Sequence, residues 1–266
     1  MHVAFVGGGV MAEAMLSQAI ASGICLAKDI QVSELIEARV DYLKNQYGVR
    51  AGSIAIDLNN FDGLVVIAVK PQQITQVYSE LGGRFNENHT AVSIAAGITL
   101  KSLVNGLGHD RIVRVMPNTP AQIGQGMSVW TATKPVPFKD IEDIKILLST
   151  LGREWFVNEE EYIDKATAIS GSGPAYVFAF IESLINAAIA IGMPLDMAEV
   201  LVKETVAGSS NLAKLSEHSP SKLREMVTSP GGTTAAALPE LSNGGLNEIV
   251  SKAAAAALNR AKELGG

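Results

Sequence analysis

The sequence has almost no cysteine, little histidine and no surplus of positive charge, and each shortage closes a class of function. Cys25 is the only cysteine in 266 residues, so no intrachain disulfide can form and no cysteine-based metal framework exists. His2, His89, His109 and His218 are scattered without ligand spacing, which predicts no structural or catalytic metal. The 21 basic residues are outnumbered by 27 acidic ones, a net charge of −6. That balance, with no basic block, argues against nucleic acid or an anionic membrane as a partner. The apolar start MHVAFVGGG has no basic flank and stops at glycines within a few residues, too short for a signal peptide or a bilayer span. A cytoplasmic protein is expected.

What is present is 47% hydrophobic against 18% charged residues, the balance of a compact chain long enough for two cores. Up to about residue 158 the sequence alternates short β-branched runs with helix-length stretches. HVAFV, IQVS, GLVVIAV, TAVSIAA and RIVRVM read as strands, and SVWTA and REWFV as two more around a helix at about 140 to 151. Short Val- and Ile-rich runs between helices indicate a doubly wound, mostly parallel sheet of the Rossmann type. From about 159 to 266 the pattern is almost purely helical. The stretch 175 to 191, AYVFAFIESLINAAIAI, is apolar nearly all round, and such a helix is either buried or packed against a second subunit. The fold class is therefore α/β, with domain 1–158 followed by an all-α domain 159–266.

VAFVGGGVMAEAML places Gly7, Gly9 and Ala12 in the pattern G-x-G-x-x-A, after a strand and opening a helix. The first glycine makes a tight turn, the second lets backbone approach a pyrophosphate, and the small third residue brings helix against strand. Phosphates then sit at the positive end of the helix, on the segment Gly7, Gly8, Gly9, Val10 and Met11. The second strand ends at Ser33 followed by Glu34. A carboxylate there accepts from the ribose 2′-hydroxyl of NAD and repels the 2′-phosphate of NADP, although it also suits the start of the next helix. Arg39, five positions on, is placed to reach a phosphate. NADH is favoured and NADPH stays open.

Ligands of an open parallel sheet bind outside the carboxyl ends of its strands. The loops there are Ala68, Val69, Lys70 and Pro71; Ala95, Ala96 and Gly97; and Met116 to Pro120, where Pro117 and Pro120 bracket Asn118. All are small and nearly uncharged, which lets a nicotinamide lie close to the backbone. Lys70 serves equally well as a phosphate partner or as a solvated residue at a helix start. The acidic run Glu159, Glu160 and Glu161 is expected as a solvated face.

VTSPGGTTAAAL, 227 to 238, crowds hydroxyls around Pro230, Gly231 and Gly232 with no charged side chain. Gly231 and Gly232 can expose N–H groups at a helix start, and Ser229 and Thr233 can add hydroxyl donors. Alone, the segment reads equally well as an ordinary capped helix. In SGSGPAY, Gly171 and Gly173 suit close helix packing better than a second donor turn.

Together, GGGVMA, AVKP, RVMPNTP at 114 to 120, SGSGPAYVF at 170 to 178 and VTSPGGTTAAAL resemble the pyrroline-5-carboxylate reductases, from the first strand to the last helix. The resemblance implies reduction of (S)-1-pyrroline-5-carboxylate to L-proline with NADH or NADPH. It implies a homodimer interlocked through the C-terminal helices, commonly assembled into decamers. It implies that Ala68–Pro71 and Ala95–Gly97 line the cofactor and that Ser229–Thr234 hold the substrate carboxylate, with Thr234 near the imine nitrogen. Two positions depart from the family pattern: Met226 replaces an asparagine found in some relatives, and Ser33-Glu34 lacks the arginine common in those that prefer NADPH. A β-hydroxyacid dehydrogenase would need a lysine on its long helix, and 174 to 191 has none. A non-catalytic dinucleotide-binding sensor is the other alternative.

Overall fold

The computed structural model describes residues 1–53 and 56–265. Two compact units emerge: Met1–Ser172 joined by the chain from Ala256 onward, and Gly173–Ala255. The sequence boundary at 158/159 lies before the helix Glu161–Ala166, earlier in the chain than this division.

The first unit carries eight strands: β1 Val3–Val6, β2 Ile30–Ser33, β3 Arg50–Gly52, β4 Gly63–Ile67, β5 His89–Ser93, β6 Ile112–Met116, β7 Gly126–Ala132 and β8 Gly152–Phe156. Their order across the sheet is β3-β2-β1-β4-β5-β6-β7-β8. All neighbours are parallel except β6 and β7. Val3 lies beside Ile30 on one side and Leu64 on the other, so the chain changes direction across the sheet between β1 and β4. That is the switch point at which a doubly wound sheet opens a crevice. The expected Rossmann-type fold is borne out; β3, only three residues of Arg-Ala-Gly, was not anticipated.

Helices α1 Val10–Ala21, α2 Glu37–Tyr47, α3 Ile74–Leu81, α4 Leu100–Leu107, α5 Phe138–Thr150 and α6 Glu161–Ala166 accompany the sheet. Alternation along the strands fills two cores. Val3 and Phe5 join one with Met15 and Leu16 of α1, while Ala4 and Val6 join the other with Leu81 of α3 and Leu103 of α4. A sheet buried on both faces needs continuous apolar strands, which is why GLVVI and IVRVM carry so little polarity.

The second unit is helical: α7 Gly173–Ala190, α8 Leu195–Leu215, α9 Pro220–Met226, α10 Thr233–Asn243 and the first half of α11 Leu246–Gly265. No residue of α7 is buried within the chain, and Phe178 is 62% exposed. Within the helical stretch Glu161–Ala190, an 18-residue window has a mean hydropathy of 1.4, long and apolar enough to cross a membrane by length and composition only.

Candidate active site

The glycine turn between β1 and α1 is built as its spacing demands. Gly7 adopts φ +96°, and a Cβ there would lie 2.8 Å from the Ala68 carbonyl oxygen. Its N–H donates to the Ser33 carbonyl at 2.8 Å, tying the turn to the end of β2. A Cβ on Gly9 would meet nothing within 4 Å, so the backbone is open on that side. Gly9 caps α1 in extended conformation with no side-chain hydrogen bond to the helix start. An uncapped amino end with clear space beside it is what a pyrophosphate requires. The cleft alongside, about 390 Å³, is lined by Gly7, Gly9, Ser33, Glu34, Ala68, Val69 and Lys70.

Glu34 is fixed, because one carboxylate oxygen accepts from the Gly8 N–H at 2.8 Å and the other from the Ile36 N–H at 2.9 Å. Gly8 has its own reason to be glycine, since a Cβ would come within 2.8 Å of Leu43 and 3.2 Å of Glu34 Cβ. Lys70 is exposed ahead of the short turn Pro71–Gln73, with its N–H donating to the Gln73 side chain at 3.2 Å.

The β5 loop, Ala95, Ala96 and Gly97, is backed by the end of α11. Gly97 has φ +79°, and a Cβ would lie 2.5 Å from Leu264 Cβ and 3.0 Å from the Ala261 carbonyl oxygen. Close approach by the last helix thus requires glycine here. After β6, Asn118 donates from Nδ2 to the Ser170 carbonyl at 3.0 Å and accepts at Oδ1 from the Met127 N–H at 2.8 Å. Both ends of the amide are engaged within the chain, holding the Met116–Pro117 loop to the π-helical segment Thr167–Gly171. Gly171 faces Met116, whose Cε would be 2.5 Å from an added Cβ, in keeping with a packing role.

Beneath this loop, sequence reasoning missed an ion cluster and misread one of its members. Arg114 is fully buried in β6 and donates to Glu160 at 2.7 Å and Asp164 at 2.5 Å. Glu160 also accepts from the Leu100 N–H at 2.7 Å. Glu160 is therefore not part of a solvated acidic face; the buried guanidinium and a helix-start N–H claim it. The signal was an arginine inside the apolar strand IVRVM, because a buried charge demands partners.

The second unit presents the turn Ser229–Gly232. Pro230 and Gly231, the latter at φ +71°, bring the Gly232 N–H back to the Ser229 carbonyl at 3.0 Å. That is a proline-glycine turn with the glycine where positive φ is needed. Thr228 spends its hydroxyl on the Arg224 carbonyl at 2.6 Å, closing α9. Gly232 caps α10 in extended conformation, again with no side-chain hydrogen bond. The segment is thus not an ordinary side-chain-capped start like that of α9, where Ser219 accepts from the Lys222 N–H. The sequence-named residues therefore fall into two groups: those along the carboxyl edge of the sheet, and those in this turn.

Fold and cofactor edge together define an NAD(P)-dependent oxidoreductase of the Rossmann class. Residues 160–264 match the family model for pyrroline-5-carboxylate reductase dimerisation, and residues 2–97 match the model for NADP oxidoreductase, coenzyme F420-dependent. The pyrroline-5-carboxylate reductase of Synechocystis sp. is 37% identical over 265 residues, covering 100% of this chain and 98% of the relative. That of Escherichia coli is 36% identical over 263 residues, covering 98% and 97%. A solved reductase from Coxiella burnetii superimposes with a TM-score of 0.89 at 37% identity, covering 100% and 98%. One from Plasmodium falciparum, with NADP bound, gives 0.90 at 29%, with the same coverage. The chain belongs to the pyrroline-5-carboxylate reductase family. The dimerisation match makes the protein a homo-oligomer, and the exposed α7 lies within the matched residues. Burying one large apolar side chain yields about 1.5–3 kcal/mol, and Val177, Phe178, Phe180 and Leu184 are all exposed in the single chain.

Proposed function

We propose that the chain reduces (S)-1-pyrroline-5-carboxylate to L-proline, the last step of proline synthesis, with its two glycine-led helix starts dividing the binding work. When bound, the reduced nicotinamide supplies the hydride that adds to the imine carbon. The N–H groups at Gly9, Val10 and Met11 hold the pyrophosphate at the amino end of α1. Glu34 accepts from the ribose, and the loops Ala68–Pro71 and Ala95–Gly97 line the nicotinamide half. Asn118 fixes the third loop of that edge.

The turn Ser229–Thr234 takes the substrate carboxylate through the N–H groups of Gly231 and Gly232 and the hydroxyls of Ser229 and Thr233. Thr234 orients the imine nitrogen or relays a proton to it from water. A cyclic imine enters already protonated, so no strong acid is needed, and none stands in the turn. The observation that carries this reading is the uncapped, uncharged start of α10 behind a proline-glycine turn, in a chain matched end to end by reductases of this substrate. The oligomer is a dimer through the C-terminal helices, assembled further into decamers. The protein works in the cytoplasm, where reduced nicotinamide is supplied.

Incubating the purified protein with pyrroline-5-carboxylate and reduced nicotinamide cofactor should consume nicotinamide absorbance and yield proline. Absence of turnover with both NADH and NADPH overturns the reading.

A further inference from the structure

We infer that Glu34 makes this chain select NADH over NADPH, and that Arg39 takes no part in binding a 2′-phosphate. The inference rests on the cleft beside Gly7–Gly9 being the cofactor site. It runs against the matched NADP oxidoreductase model and against the NADP carried by the Plasmodium relative, so it is a claim about this chain's own residues.

Three observations carry it. Glu34 directly follows β2 and lines the cleft, where the ribose of a dinucleotide lies in this fold. Its carboxylate cannot swing aside freely, because both oxygens are anchored on backbone N–H groups, those of Gly8 and Ile36. A 2′-hydroxyl can donate to such a carboxylate. A 2′-phosphate is an acceptor carrying like charge and has nothing to donate.

The cation nearest in sequence, five positions beyond Glu34, is committed elsewhere. Arg39 Nε donates to the Gly8 carbonyl at 2.6 Å, and Nη2 donates to Glu13 at 2.5 Å. Its guanidinium lies over the Tyr42 ring, 5.0 Å from the centroid. Glu13 also accepts from the hydroxyls of Tyr42 and Tyr47, at 3.0 and 2.6 Å. Burial raises the Glu13 carboxyl, but the bonds from Tyr47, Arg39 and Tyr42 outweigh it and hold the group below its ordinary value. Arg39 therefore keeps a charged partner throughout the neutral range. Lys70, a cation that lines the cleft itself, sits on the β4 loop and shares the lining with Glu80.

The test is equilibrium binding, independent of turnover. NADH and NADPH are titrated into the protein by calorimetry, with AMP and adenosine 2′,5′-bisphosphate as fragments that differ only by the 2′-phosphate. NADH and AMP should bind at least about tenfold more tightly than their 2′-phosphorylated counterparts, the scale set by like-charge juxtaposition. Glu34→Gln keeps an acceptor for the Gly8 N–H and removes the charge, so it should narrow the gap mainly by tightening NADPH. Glu34→Ser should bring the two cofactors within about threefold. Equal or tighter NADPH binding by the unaltered protein, or an unchanged ratio in both variants, overturns the inference. Binding of neither cofactor overturns the cofactor reading of the cleft and the inference with it.

Discussion

Gly9 caps α1 at φ −68°, ψ −178°, and Gly232 caps α10 at φ −79°, ψ 172°. Each follows a glycine at positive φ, Gly7 at +96° and Gly231 at +71°, and neither helix has a side-chain cap. The surroundings differ. The first turn is wedged among Ala68, Val69, Leu43 and Glu34, whereas a Cβ on Gly231 would meet nothing within 4 Å. One turn is held by packing, and the other by the local chemistry of proline, glycine and a single turn bond. Damage to the first should therefore cost the fold together with binding, while damage to the second should cost function with a smaller loss of stability.

The largest effects are expected where positive φ and close packing coincide. Gly7→Ala and Gly97→Ala each add backbone strain of about 1–3 kcal/mol and overpacking of about 1–3 kcal/mol, against the Ala68 carbonyl and Leu264 respectively. Denaturant titration should show losses of that combined size, with weaker cofactor binding. Next comes Thr234→Ala: removing the hydroxyl at the imine nitrogen should lower turnover by about a hundredfold, while calorimetry finds cofactor affinity unchanged. Unaltered turnover would take Thr234 out of the mechanism.

Gly231→Ala should be milder. With open space around it, only the left-handed backbone resists, at about 1–2 kcal/mol, seen as a roughly tenfold rise in KM for the imine. The smallest effect concerns acid. Burial holds the His109 imidazole below its ordinary value, and its Nε2 bonds to the His89 carbonyl at 3.0 Å. The unfolded chain takes up a proton first as pH falls, so this contribution to stability is present at neutral pH and is lost as pH falls below the unfolded value toward the folded one. Melting followed from pH 7 to pH 5 should drop less steeply in His109→Gln, which removes the titration. An unchanged slope would deny His109 that role.

Much of the first turn was legible because motif positions have separate steric reasons: Gly7 takes positive φ close against Ala68, and Ala12 is fully buried. The all-apolar pattern of α7 is matched by a helix with no residue buried within the chain. β3 escaped notice because Arg-Ala-Gly carries no apolar alternation. Glu160 looked solvated because its partner, Arg114, lies far away in sequence. The glycine requirement at Gly97 was assigned to a flat cofactor, yet the end of α11 already imposes it, and no local pattern reveals a neighbour so distant in the chain. Local chemistry was readable, and long-range packing was not.

The most direct test sets Gly7→Ala beside Gly231→Ala and measures melting, cofactor affinity and KM for pyrroline-5-carboxylate in both. The predicted pattern is crossed. Gly7→Ala loses stability and cofactor affinity together, while Gly231→Ala loses no more than about 1–2 kcal/mol of stability, keeps cofactor affinity and binds the imine about tenfold more weakly. If Gly231→Ala weakened the cofactor as much as the imine, or Gly7→Ala left cofactor binding intact, the division of work between the two helix starts would be contradicted.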